Sequence, residues 1–222
     1  MSGEPGVDAV NPIEHERSIM QIEWLIRHAS GGRLFDAGCG VGRIAAPLSA
    51  AGIDVIAMDS DERALAMCGQ QAPNATCLHG DFMRPDVPEA TVDVVCCLGN
   101  TFSLLHDIGD AITAMQAWRR LLRKGGIIVI DDIPQDLWPE LTCGNWASGI
   151  SEEGQELVWA DDDAVFALRD QPRPGQAVPD ASDRRMRLWT MGALELLGRA
   201  ATIGAPQHLP EAALIMFPDA TG

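Results

Sequence analysis

Three aspartates and one run of spaced glycines are the residues of this chain best suited to chemistry. The run is Asp36-Ala37-Gly38-Cys39-Gly40-Val41-Gly42-Arg43, preceded by the apolar pair Leu34-Phe35. It reads as a buried strand, a tight turn and a helix start. Glycines at alternate positions carry no Cβ, so the turn can take positive φ and a ligand can lie against its amides. A helix is expected from Val41 to Ala51, beginning near Gly40, with its first free N–H groups aimed into the same space. Asp36 stands at the carboxyl end of the strand, where open α/β sheets bind ligands. A carboxylate there favours a cationic or hydroxylated ligand over a phosphate. Asp59, with Ser60 beside it, ends a second strand, Ile53–Met58, and can accept both hydroxyls of a ribose. Asp81, followed by Phe82, comes just after a third strand, Ala75–His79. A dinucleotide fingerprint, G-x-G-x-x-G, would need glycine where Arg43 stands, and it would set Asp36 against a pyrophosphate.

The elements that must position these groups alternate regularly. Asn11-Pro12-Ile13-Glu14 is a helix start, with Asn as cap, Pro in the first turn and Glu three places after the cap. Ile19, Ile22, Leu25 and Ile26 follow at helical spacing, and Ser30-Gly31-Gly32 ends that helix. Pro47 falls inside the second helix and predicts a kink or a short first segment. A third helix is expected from Glu62 to Gln70, capped by Ser60 or Asp61. Val92–Leu98 is largely apolar, as a central parallel strand should be, and it runs into Gly99-Asn100-Thr101-Phe102. A helix from Asp107 to Leu122 carries Ala111, Met115, Trp118 and Leu122 on one face. Arg123-Lys124-Gly125-Gly126 closes it, and a fifth strand ends at Asp131. Beyond Asp132 the alternation stops. Glu156–Arg169 has the pattern of a hairpin, residues 170–187 read as loop, Thr190 caps a helix bearing Leu194, Leu197 and Ala201, and Ala212–Phe217 is a last strand. The expected fold is α/β: a Rossmann-like, doubly wound, mostly parallel sheet of the seven-stranded type, with helices on both faces and a small insertion after the fifth strand. One domain spans 1–222, made of a covering helix (11–30), a ligand-binding core (33–132), an insertion on the substrate side (133–189) and a closing helix and strand (190–222).

Composition narrows the partners. Acids outnumber bases 32 to 16, for a formal charge of −16, which repels phosphate backbones and argues against nucleic acid. Such a surface suits cationic or zwitterionic small molecules. The six cysteines form no C-x-x-C pair and read as packed, reduced thiols of a cytoplasmic protein. The five histidines lack metal-ligand spacing, so no metal is expected. No apolar run has the length or place of a signal peptide or membrane span.

Asp36 followed by G-x-G-x-G resembles motif I of the class I S-adenosylmethionine (SAM)-dependent methyltransferases. Two further stretches carry the same resemblance. Gly99-Asn100-Thr101-Phe102 is similar to the G-N-S-F loop of the glycine and sarcosine N-methyltransferases, and Leu121-Leu122-Arg123-Lys124-Gly125-Gly126, followed by an apolar strand, resembles the L-L-x-x-G-G pattern of class I methyltransferases in general. The resemblance covers residues 33–132 well and the rest in outline. It implies SAM as cofactor, held by Asp36, Gly38, Cys39, Gly40, Gly42, Arg43, Asp59, Ser60, Asp81, Phe82, Leu98 and Gly99. Asp81 would take the adenine amino group, with Phe82 on the ring, and Asn100 with the loop carbonyl would face the amine being methylated. His106, Asp131 and Asp132 lie nearest for a base. One departure bears on the acceptor. Glycine N-methyltransferases place a carboxylate-gripping arginine after the fifth strand, where this chain has Ile130-Asp131-Asp132-Ile133-Pro134-Gln135-Asp136. That argues against glycine and toward a cationic or polar neutral small molecule. Arg184, Arg185 and Arg187 read as a solvated charge run, with a clamp supplied from the insertion as the alternative. Other readings are methylation of oxygen or sulfur, a SAM-binding relative without catalysis, and a nicotinamide oxidoreductase.

Overall fold

Along each central strand, alternate side chains enter two different cores. Leu34, Val94, Cys96 and Val129 join an apolar cluster on one face, and Phe35, Val95, Ile128 and Ile130 a second cluster on the other. Successive Cβ atoms of a strand point to opposite faces, so an uninterrupted apolar run can serve both only if helices cover both. The computed structural model describes residues 12–132, 155–160, 164–176 and 178–219. Asn11, Cys143 and the Trp/Gly/Pro-bearing stretch 133–154 lie outside these.

The elements run α1 (Pro12–Ala29), β1 (Arg33–Ala37), α2 (Ala45–Ala50), β2 (Asp54–Asp59), α3 (Glu62–Gln71), β3 (Thr76–His79), β4 (Val92–Cys97), a 3-10 turn (Thr101–Leu104), α4 (Ile108–Leu121) and β5 (Leu122–Asp131). Then come β6 (Glu156–Trp159), β7 (Val165–Arg169), β8 (Arg185–Arg187), α5 (Met191–Ala200), β9 (Gln207–Leu209), a 3-10 turn (Pro210–Ala212) and β10 (Leu214–Pro218). Seven strands form the main sheet in the order β3-β2-β1-β4-β5-β10-β9. The first five are parallel, and β10 runs antiparallel to both β5 and β9. Strand order reverses between β1 and β4, so a crevice opens past their carboxyl ends, where such sheets bind ligands. Trp24 and Leu25 of α1 and Leu48 of α2 pack on one face, and Trp118 of α4 and Leu194 of α5 on the other. The Rossmann-like expectation is met, and a short hairpin, β9–β10, closes the sheet.

Local differences have local causes. The second helix begins at Ala45 rather than Val41, after a turn over 41–44, with Ile44 at its cap. Pro47 is then the third helical residue, where an N–H would lack an intrahelical partner anyway, so no kink is needed. Asp61 rather than Ser60 caps α3, accepting from the amides of Arg63 and Ala64. In α1 Ile19 is exposed, and the buried face is Gln21, Trp24, Leu25 and Ala29. The polar stretch read as loop over 170–187 contains β8, which pairs with β7 and makes the expected hairpin a three-stranded sheet. Its organiser is Arg169. This buried side chain is bonded to the carboxylates of Asp183 and Glu156 and to the carbonyls of Gln176 and Val178.

Candidate functional site

The glycine turn is tied to the neighbouring strand before any ligand is considered. The amides of Gly38 and Cys39 both donate to the Met58 carbonyl, at 2.9 and 3.0 Å. Gly38 has φ +78°, and a Cβ there would come within 2.4 Å of a Thr101 methyl. Gly42 closes against Cys68. Gly40 differs: a Cβ on it would meet nothing within 4 Å, so its backbone borders open space. Its amide donates to Asp59 Oδ2 at 2.8 Å, and the Asp61 amide to Asp59 Oδ1 at 2.9 Å. Each carboxylate oxygen keeps a second acceptor site.

Asp36 is tucked beneath the turn rather than standing open at the strand tip. It is 2 % exposed, Oδ1 accepts from Cys96 Sγ at 3.5 Å, and Oδ2 has no hydrogen-bond partner. Burial pushes its carboxyl up to about 6, against the smaller downward pulls of the Cys96 bond and Arg43. An orphaned buried carboxylate oxygen beside an open glycine backbone fits a cationic ligand such as the aminoacyl sulfonium end of SAM. Cys39 is buried, and desolvation raises its thiol above the ordinary range. What it can offer a ligand is its backbone.

Further along the sheet edge, Asp81 is exposed and its Oδ1 accepts from the Met83 amide at 2.9 Å. Phe82 is half-buried, with its ring 6.0 Å from that of Trp118, whose Nε1 donates to the Phe82 carbonyl. Ser60 is exposed and its carbonyl faces His79 Nε2 at 3.1 Å.

Beyond β4, Leu98 is buried and its carbonyl accepts from Thr101 Oγ1. Gly99 and Asn100 are consecutive left-handed residues, at φ +75° and +61°. Asn is among the few side-chain-bearing residues that tolerate that region. Asn100 is exposed, and its backbone N–H donates to Asp131 Oδ2 at 2.8 Å.

Sequence reasoning missed the residues that close this corner. Gln21, fully buried, donates to Asp131 Oδ1 at 2.9 Å and accepts from Arg43 Nη1 at 3.2 Å. Arg17 Nη2 lies 3.3 Å from Asp131 Oδ1, and Arg43 also donates to Ser18 Oγ. A cavity of about 260 Å³ is lined by Arg17, Ser18, Gln21, Arg43, Gly99, Asn100 and Asp131. The available signal was a glutamine on the face of α1 shared with Trp24 and Leu25.

Two of the expected base candidates are placed elsewhere. His106 lines a second cavity, of about 390 Å³, with Asp107, Ile108, Arg185 and Arg187, and its Nδ1 lies 3.3 Å from the Leu104 carbonyl. Asp132 is buried, with Oδ2 2.5 Å from His208 Nε2. Arg187 departs from a solvated run. It is buried, Nε donates to the His106 carbonyl at 2.7 Å, and its guanidinium lies 5.4 Å from the centroid of the Trp189 ring.

A run of five parallel strands with a glycine turn after the first and a reversal of strand order between β1 and β4 defines a Rossmann-like α/β fold. A family model described as a methyltransferase domain matches residues 35–130. The ubiquinone biosynthesis O-methyltransferase of Aromatoleum aromaticum is 27 % identical over 128 residues, which are 54 % of this chain and 52 % of that one. The chain thus matches about half the length of that relative. Among solved structures, the CcbJ methyltransferase of Streptomyces caelestis has a TM-score of 0.67 at 18 % identity, covering 99 % of this chain and all (100 %) of that one. The sugar N-methyltransferase KedS8 of a Streptoalloteichus species scores 0.61 at 19 %, covering 99 % and 96 %. These likenesses are of fold. Among the described residues no helix is long and apolar enough to cross a membrane.

Proposed function

We propose that this protein transfers the methyl group of SAM to the nitrogen of a small cationic or polar neutral amine. In this reading Asp59, with Ser60 beside it, holds the ribose hydroxyls, and Asp81 and Phe82 hold the adenine. The backbone of Gly38, Cys39, Gly40, Gly42 and Arg43, with Leu98 and Gly99 opposite, holds the methionine part, while Asp36 supplies negative charge beneath it. The cofactor brings a methyl group already activated on sulfur, so the protein needs no nucleophile of its own. Its task is to place the amine lone pair in line and keep water out, and placement alone can supply roughly 7–11 kcal/mol of a barrier. Gly99 and Asn100 orient the amine, which reaches the site as the free base, and after transfer the methylated ammonium gives up one N–H proton, where it has one, to solvent. The observation that carries this reading is the left-handed Gly99–Asn100 turn at the sheet's reversal point, bonded to Asp131 and bordering the cavity that Arg43 of the glycine turn also lines.

A second reading, methylation of a hydroxyl, draws on the Asp132–His208 pair, because an oxygen acceptor needs a base that an amine does not. The test is calorimetry with SAM and with NADH, then SAM-dependent turnover over a panel of amines and phenols read by product mass. Binding of SAM alone and methylated amines are expected. NADH binding without SAM would overturn the class of activity. Methylated phenols with untouched amines would replace nitrogen by oxygen and bring the Asp132–His208 pair forward as the base.

A further inference from the structure

We propose that Asp131 is the positioning residue of the acceptor turn, and that Gln21 extends its hold to the covering helix and the glycine turn. Asp131 ends β5 with its side chain 2 % exposed. One carboxylate oxygen accepts from the Asn100 backbone N–H, and the other accepts from Gln21 Nε2 with Arg17 Nη2 alongside. Bonds to an ionised acceptor are shorter and stronger than neutral ones. They are well placed to hold Gly99 and Asn100 in a conformation that a chain rarely takes twice running.

Gln21 reads both ends of the network. Its amide has one donor end and one acceptor end, and the surroundings fix which is which: the NH2 faces a carboxylate, and the carbonyl faces the Arg43 guanidinium. Two buried side chains therefore join four segments, namely α1, the glycine turn, the turn after β4 and the end of β5. Gln21 Nε2 also reaches the Ala213 carbonyl at 3.4 Å, which adds the closing hairpin. With both carboxylate oxygens engaged by donors, Asp131 cannot take a proton from an acceptor without releasing the turn. Its work is to hold Asn100 in place, not to act as a base. The catalytic consequence rests on the function proposed above; the mechanical one does not.

The test compares the full chain with D131N, Q21E and the double variant Q21E/D131N by amide hydrogen exchange, SAM affinity and steady-state kinetics. D131N sets an NH2 against the Gln21 NH2, and Q21E sets one carboxylate against another. The double variant restores a donor–acceptor pair with its direction reversed. Each single variant is expected to speed exchange over residues 98–104 and to lower kcat by about tenfold or more, with SAM affinity changed by less than about threefold. The double variant recovers both. Unchanged exchange over 98–104 in the singles, or a double variant no better than D131N, overturns the proposal. Should D131N not fold, Q21M carries the test, since faster exchange at 98–104 would then arise far in sequence from the substituted helix, and unchanged exchange there refutes it. If the exchange results hold but wild type methylates no acceptor, the positioning role stands and the proposed function falls.

Discussion

The Gly40 amide donates to Asp59 Oδ2 across 2.8 Å, joining the open middle of the glycine turn to the tip of β2. One carboxylate thus shapes the turn and presents acceptor sites to whatever lies in it. Asp59→Ala removes both roles and should weaken SAM binding by about 1–3 kcal/mol. Asp59→Asn keeps an oxygen for one backbone amide and should fall between. Titration calorimetry measures this, and unchanged affinity in Asp59→Ala would remove the ribose role.

Asn100 combines a left-handed backbone with an exposed position lining the cavity of about 260 Å³. Asn100→Ala should cost about 1–2 kcal/mol of stability through its backbone and lower turnover far more than SAM affinity. Asn100→Gly accepts the same φ and should keep its thermal midpoint near wild type while still losing turnover. Full activity in the glycine variant would assign Asn100 to the turn's conformation alone.

The Asp36 carboxyl, raised from an ordinary 3.8 to about 6 by burial, makes stability depend on pH. Below 3.8 the acid is neutral in both folded and unfolded chains. Between there and about 6 only the unfolded chain ionises freely, so stability falls as pH rises, by about 3 kcal/mol in all. Asp36→Asn should flatten this slope in denaturant melts at pH 4, 5 and 7 and raise stability at pH 7. A cationic ligand beside Asp36 favours its charged form, so SAM should bind more tightly above pH 6 than below in wild type, and with less pH dependence in the variant.

The small sheet of β6, β7 and β8 depends on Arg169. Its bond to Asp183 holds that carboxyl below the usual range, and Glu156 is lowered by the Arg173 amide and by Arg169. Their contribution is complete at neutral pH and is lost as pH falls through these depressed values. Arg169→Met should speed hydrogen exchange over residues 156–187 while leaving β1 and β4 protected. Equal loosening of both sheets would show that Arg169 supports the whole fold.

The parallel half of the sheet was legible because its determinants are local. Apolar runs of strand length, glycines at alternate places and acids at strand ends all act within a few residues, so they placed β1 to β5, Asp36, Asp59 and Asp81 in order along the sheet. Pro47 and Ile19 were misjudged within that local frame, because a helix that starts four residues late turns a breaker into an ordinary first-turn residue, and a helical face is settled by what it packs on. The rest was decided by tertiary structure. Gln21 meets Asp131 across 110 residues, His106 meets Arg187 across 81, and Asp132 meets His208 across 76. No spacing rule links such pairs. A polar side chain on a buried face must find a partner, but which one depends on the sheet order and on the helices laid over it. The sequence therefore determined where the glycine turn and the strand-end acids would lie, and folding alone decided which carboxylate would hold the Gly99–Asn100 turn and which would pair with a histidine instead.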